Sequence, residues 1–173
     1  MDSLAVHHEA VTVSVFAGLL LVAAAWDVWQ YRIPNLLSAL LLIAFVPAAA
    51  LSPHPIAWWA HAAGALLVLG LGMALFAYGI MGGGDIKLLV AVSLWFGLAF
   101  LPLLLASVGM LGGVLAMMIL ALRMIVPGML LMVGLTTRLP TVLLPKGAIP
   151  YGVAITAGAL LNYRYLPVLG LAS

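Results

Sequence analysis

Only four acidic residues occur in the 173 positions, and two of them, Asp2 and Glu9, fall within the first ten residues. The other two, Asp27 and Asp85, lie at the ends of strongly apolar stretches. Ionisable groups near membrane depth are costly, and they are candidates for function by default. Two carboxyl groups held together can act as a general base and a general acid, one taking a proton from an attacking water while the other donates to the group under attack. Brought together, such a pair shares a proton and titrates as one unit. The competing reading of each aspartate is an interfacial carboxylate solvated by headgroups and paired with Arg32 or Lys87.

Asp85 is preceded by Gly82, Gly83 and Gly84 and followed two residues later by Lys87. Three glycines strip every Cβ from the chain leading to the aspartate, so an extended substrate backbone could lie against it. A flexible turn between two membrane helices is the plainer alternative. A phosphate-binding loop does not fit: the spacing and the Ser/Thr are absent, and a carboxylate stands where the anion would sit. Lys87 either tunes the aspartate or attracts an anion, or else it snorkels to the membrane surface.

The elements that must position these residues follow from composition. At 67% hydrophobic and 6% charged residues, with a mean hydropathy of +1.34, the chain lies outside soluble globular composition. It reads as a single integral membrane domain over residues 1–173. Breakers divide it into six helices of roughly Val11 to Trp26, Leu36 to Leu51, Ile56 to Tyr78, Ile86 to Leu101, Leu103 to Met124 and Ile149 to Leu166. The first helix lacks the basic leader and small-residue cleavage site of a signal peptide, so it is expected to be retained. Pro102 predicts a very tight turn between the fourth and fifth helices. Gly128 to Leu139, bracketed by Pro127, Pro140 and Pro145, is too short to span and reads as re-entrant or interfacial.

Six alternating crossings put Arg32, Lys87, Arg123, Arg138 and Lys146 on one face and only Arg164 on the other. The basic-rich face is expected to be cytoplasmic, with both aspartates on it and both termini outside. His54 and His61 then fall near the outer face as interfacial residues and not as metal ligands. Small-residue pairs and the nine methionines read as helix packing and gap filling. The absence of cysteine excludes disulfides, thiolate zinc sites and cysteine nucleophiles. Six scattered basic residues make no nucleic-acid footprint. No metal and no cofactor is expected.

Gly82-Gly83-Gly84-Asp85-Ile86-Lys87 resembles the GxGD motif, with its following lysine, of the prepilin peptidases. These are membrane-embedded aspartic proteases that process type IV pilins and secretion pseudopilins. Asp27 with Arg32-Ile33-Pro34-Asn35 is similar to that family's first catalytic aspartate and its downstream stretch. Pro150-Tyr151-Gly152 matches its Pro-aromatic-Gly element. The resemblance implies Asp27 and Asp85 as the catalytic pair. It also implies an inner-membrane endopeptidase that removes a short leader from prepilin-like substrates at the cytoplasmic face. Gly82, Gly83, Gly84, Lys87, Asn35, Pro150, Tyr151 and Gly152 are then candidates for substrate binding, with helix capping or initiation as the alternative for Asn35 and for Pro150 to Gly152.

Larger members carry a cysteine-bearing insertion and methylate the product. This chain has neither the cysteines nor the room, and looks like the short form found in tight-adherence (Flp-type) pilus systems. Presenilin-type proteases share the GxGD aspartate, but their Pro-Ala-Leu element is missing here. A different class, a small transporter or proton-conducting subunit using Asp27 and Asp85, would place ionisable groups along a path through the bilayer. In this chain the two cluster at one rim.

Overall fold

A computed structural model of the chain describes residues 3–52, 54–132, 141–144 and 147–170. Those residues form five α-helices: α1 (Ser3–Gln30), α2 (Asn35–Ala50), α3 (Trp58–Ala77), α4 (Gly83–Met132) and α5 (Tyr151–Leu161). Short 3-10 turns lie at Thr141–Leu143, Tyr163–Tyr165 and Pro167–Leu169. Three of the helices are long and apolar enough to cross a bilayer, over Val6–Gln30, Trp58–Ala77 and Gly83–Leu130. Large apolar side chains such as Ile43, Leu66, Met110 and Met117 point outward, as lipid and not water requires. The chain is a polytopic membrane protein with an all-α fold.

Where the sequence predicts a turn at Pro102, the structure keeps Pro102 inside α4 and breaks the helix five residues earlier, at Gly97. Gly97 has φ 63° and ψ −178°, a conformation essentially reserved for glycine. Tyr151 rests against Gly112 on the far arm of α4 and lines the same cleft as Asp85 on the near arm. On a straight helix Asp85 and Gly112 would be about 40 Å apart. The chain must therefore turn back on itself at Gly97. The near arm packs on α3, where Gly72 meets Ile86, and the far arm packs on α5, where Gly158 meets Val108.

His61, expected near the outer face, is buried within the protein at only 3% exposed, its ring tilted against Phe45 at 5.0 Å between centroids and packed on Gly97. Its Nδ1 lies 2.6 Å from the carbonyl oxygen of Leu94. In an unbroken helix that carbonyl would face the N–H four residues on, just past the break. A buried carbonyl at a helix break needs a donor, and His61 supplies one.

The core that fixes the helices is centred on Trp95. Its ring packs on Phe16 of α1 at 4.9 Å and on Phe45 of α2 at 5.7 Å between centroids. Its indole N–H donates to the Leu41 carbonyl at 3.0 Å, so the polar edge is satisfied in the apolar interior. Thr156 of α5 donates to the Leu20 carbonyl of α1 at 3.0 Å. These contacts bring α1, α2, the near arm of α4 and α5 around one axis.

The last helix is shorter than its apolar run. Asn162 donates back to the Gly158 carbonyl and across to Ser107, both at 2.8 Å, which closes α5 in place of another turn. Pro127, for its part, does not stop α4, which runs on to Met132. Residues 128–132 of the stretch expected to be re-entrant are thus helical, and residues 133–140 lie outside the described residues.

Candidate active site

Asp27 lies near the end of α1, one turn before the chain leaves the helix at Tyr31, whose φ of 53° is the only positive value at a described non-glycine residue. The α1–α2 link then runs through Arg32 and the buried Ile33 to Pro34, which holds an extended conformation ahead of α2. Asp85 lies in the first turn of α4. The two carboxylates come from helix ends separated by 58 residues of sequence, yet both line one cleft of about 830 Å³. Asp27 is 4% exposed, while Asp85 is partly open to the cleft.

Each carboxylate lies against a glycine. The backbone N–H of Gly152, at the start of α5, donates to Asp27 Oδ2 at 2.7 Å. A Cβ on Gly152 would stand 2.8 Å from that same oxygen and 2.9 Å from Ile33 Cδ1, so only glycine admits the carboxylate. Asp85 is the third residue of α4, which starts at Gly83, and its carboxylate folds back against Gly82, the residue before the helix. A Cβ on Gly82 would stand 2.9 Å from Asp85 Oδ2. Both oxygens therefore occupy the space of a missing side chain, and both sit at the positive end of a helix.

Gly83 and Gly84 are helical and not unwound: they form the first turn of α4 and line the cleft, and a Cβ on either would meet Phe76 or Ile33 at an ordinary 3.5 Å. Asn35 opens α2, and its Oδ1 accepts a bond from Lys87 Nζ at 2.9 Å. That pair ties the starts of α2 and α4 together at the exposed rim, so Lys87 pairs with the amide and not with a carboxylate. Arg32 and Tyr31 also line the cleft. Tyr151 faces it while its ring packs on Gly112, and Pro150 is buried as the cap of α5.

Sequence reasoning quoted Ile33 without giving it a role. It is the wedge between the two sides of the site, touching both Gly84 and Gly152. Its place directly after Arg32 in the Arg-Ile-Pro-Asn stretch was the available signal. Gly112 left none, because its only mark is a contact made across 39 residues. Among the described residues no group of His, Asp and Glu is arranged to hold a metal ion.

Basic side chains are distributed unevenly about this cleft. Arg32 and Lys87 stand at its rim, and Arg123 bonds to Gly147, one of its lining residues. Arg164 belongs to the turn whose Tyr165 packs on Phe100, just past the Gly97 reversal and at the far end of the near arm from Asp85. Arg138 and Lys146 lie outside the described residues.

A family model described as the type IV leader peptidase family matches residues 14–117. The match takes in Asp27, the stretch from Arg32 to Asn35, the stretch from Gly82 to Lys87, and Gly112, and it ends before Pro150. No curated protein and no solved structure matches the chain.

Proposed function

Because this chain belongs to the type IV leader peptidase family, a family of membrane aspartic endopeptidases that act on prepilins, we propose that it removes the short N-terminal leader of pilin-like precursors with Asp27 and Asp85 as its catalytic pair. The observation that carries this reading is the convergence of the two aspartates on one cleft, each with an oxygen lodged against a glycine, Gly152 for Asp27 and Gly82 for Asp85.

The chemistry follows from that arrangement. A water held between the carboxyls gives its proton to the ionised aspartate and adds its oxygen to the scissile carbonyl. The protonated aspartate passes its proton to the carbonyl oxygen, so charge never builds up there unopposed. Collapse of the tetrahedral intermediate breaks the C–N bond: the departing amine takes a proton from the carboxyl that received one, and the other aspartate takes back its proton from a hydroxyl of the intermediate as the carbonyl re-forms. The leader ends in a new carboxylate, and the pilin begins with a new amine. Only an extended segment exposes its carbonyl this way, and the cleft between Tyr31, Ile80 and Tyr151 has room for one strand of backbone.

We read the membrane topology as six crossings, counting the two arms of α4 separately and taking α5 together with the turns that continue it to Leu169. The cleft end, with Arg32, Lys87 and Arg123, faces the cytoplasm, and Arg164 lies on the outer side. A proton-conducting role would need polar groups continuing through the bilayer, whereas the helices beyond the aspartates meet in the apolar cluster of Phe16, Phe45 and Trp95.

The test is cleavage of a synthetic prepilin by the purified protein in detergent, with the new N-terminus read by mass spectrometry. A single cut after the leader, lost in Asp85→Asn, is the expected result. An intact precursor under conditions where the protein is folded would overturn the reading.

A further inference from the structure

Arg123 enters the sequence reading only as one of several positive charges on one face. In the structure it makes a specific grip. It lies on the far arm of α4, eleven residues past Gly112, where the chain returning from α4 to α5 passes back along the helix. Its Nε donates to the Val142 carbonyl at 2.8 Å and its Nη2 to the Gly147 carbonyl at 2.7 Å. One rigid guanidinium thus spans two carbonyls five residues apart in sequence.

What that grip holds is the third wall of the cleft. Gly147, Ala148 and Ile149 line it, Pro150 caps α5, and two residues later the Gly152 N–H reaches Asp27. A charge needed only for membrane orientation could be lysine as well as arginine. Bridging two fixed acceptors needs the planar fork, because an ammonium is a point donor on a flexible stem.

We propose that Arg123 is a positioning residue for leader cleavage: it pins the segment entering α5 so that this wall, and the Gly152 N–H on Asp27, are held in place. The role in cleavage rests on the function proposed above. The grip itself does not, and the experiment separates the two. The chain has no cysteine, so single spin labels can be placed at Ala148→Cys, in the exposed wall, and at Leu51→Cys, exposed at the opposite end of α2. Each is compared with and without Arg123→Lys in the purified full-length protein in detergent.

Arg123→Lys should make the label at position 148 several-fold more mobile and leave the label at position 51 unchanged. In the unlabelled protein the same substitution should lower kcat for prepilin by about tenfold, with less change in KM, as expected for the loss of one hydrogen bond to a charged donor. Guanidinium ion added to Arg123→Ala should restore part of that rate. An unchanged spectrum at position 148 overturns the grip. Greater mobility at both positions makes Arg123 a general stabiliser, and cleavage by Arg123→Lys at the wild-type rate removes it from positioning; either result sinks the proposal. Failure of the wild type to cut any prepilin would instead sink the function proposed above, with the label result still standing.

Discussion

Asp27 and Asp85 each have an oxygen lodged where a glycine side chain would be, and this makes the glycines unequal in a way their adjacency conceals. Gly82→Ala would put a methyl group 2.9 Å from Asp85 Oδ2, and the carboxylate must move. Gly84→Ala would meet Ile33 at 3.5 Å, an ordinary contact. Since a displacement of about 1 Å at a reacting group costs on the order of 100-fold in rate, Gly82→Ala should lose about two orders of magnitude in kcat/KM. Gly84→Ala should stay within a few-fold of wild type, and steady-state cleavage of a synthetic prepilin separates the two. If both lose activity equally, the glycines serve substrate approach and not the placement of Asp85. The aspartates themselves should behave as a unit. Asp27→Asn and Asp85→Asn should each abolish cleavage in protein that still inserts, and the double variant should be no worse than either. Robust cutting by Asp27→Asn would remove α1 from the mechanism. At this scale the two acids stood out in the sequence because so few acids remain in an apolar chain. The partnership of Asp27 with Gly152 was not legible, because it joins residues 125 positions apart through a backbone N–H that no residue type announces.

Helix existence was legible and helix ends were less so, for a reason that one element illustrates. Pro102 is the louder breaker in sequence, but a proline early in a helical arm leaves few bonds unmade. The break itself depends on the φ and ψ of Gly97, one of 18 glycines, most of which interrupt nothing. What distinguishes Gly97 is its surroundings. His61 reaches the Leu94 carbonyl, and the α3 backbone at Gly64 comes close enough that a Cβ there would be 3.1 Å from the Gly97 carbonyl carbon. Gly97→Ala should therefore be among the most damaging single-methyl additions in the protein. The backbone conformation costs about 1–3 kcal/mol for a residue with a Cβ, and the new methyl would lie 3.2 Å from the His61 ring. Thermal unfolding in detergent should fall by several degrees relative to wild type, and cleavage should fall with it as the arms of α4 splay. By contrast Gly109→Ala, with nothing within 4 Å, should leave both unchanged. A Gly97→Ala variant as stable as wild type would mean that the reversal is not fixed at this residue.

For the molecule as a whole, the arrangement of charge and the arrangement of chemistry make one claim that can be tested without any substrate. The cleft, the Asn35–Lys87 pair and the Arg123 grip lie at one end of the bundle. The opposite end is closed by Ser52 donating to the Val168 carbonyl and by His8 against the Ala48 carbonyl, with Arg164 nearby in sequence. Basic residues favour the cytoplasmic side through insertion energetics, so the cleft end is expected inside. A leader that extends from a membrane-bound precursor into the cytoplasm can then reach the aspartates without crossing the bilayer. Alkaline phosphatase fused after Leu51 should be active, and the same reporter fused after Gly79, beside the cleft, should be inactive. The two junctions flank α3 alone, so the pair tests that crossing directly and fixes the sign of the whole topology. Activity only at Gly79 would turn the molecule over and leave the cleft on the outer face, out of reach of a cytoplasmic leader. Equal activity at both would mean that α3, a strongly apolar helix of 20 residues, lies along the membrane, and the count of crossings would fall with it.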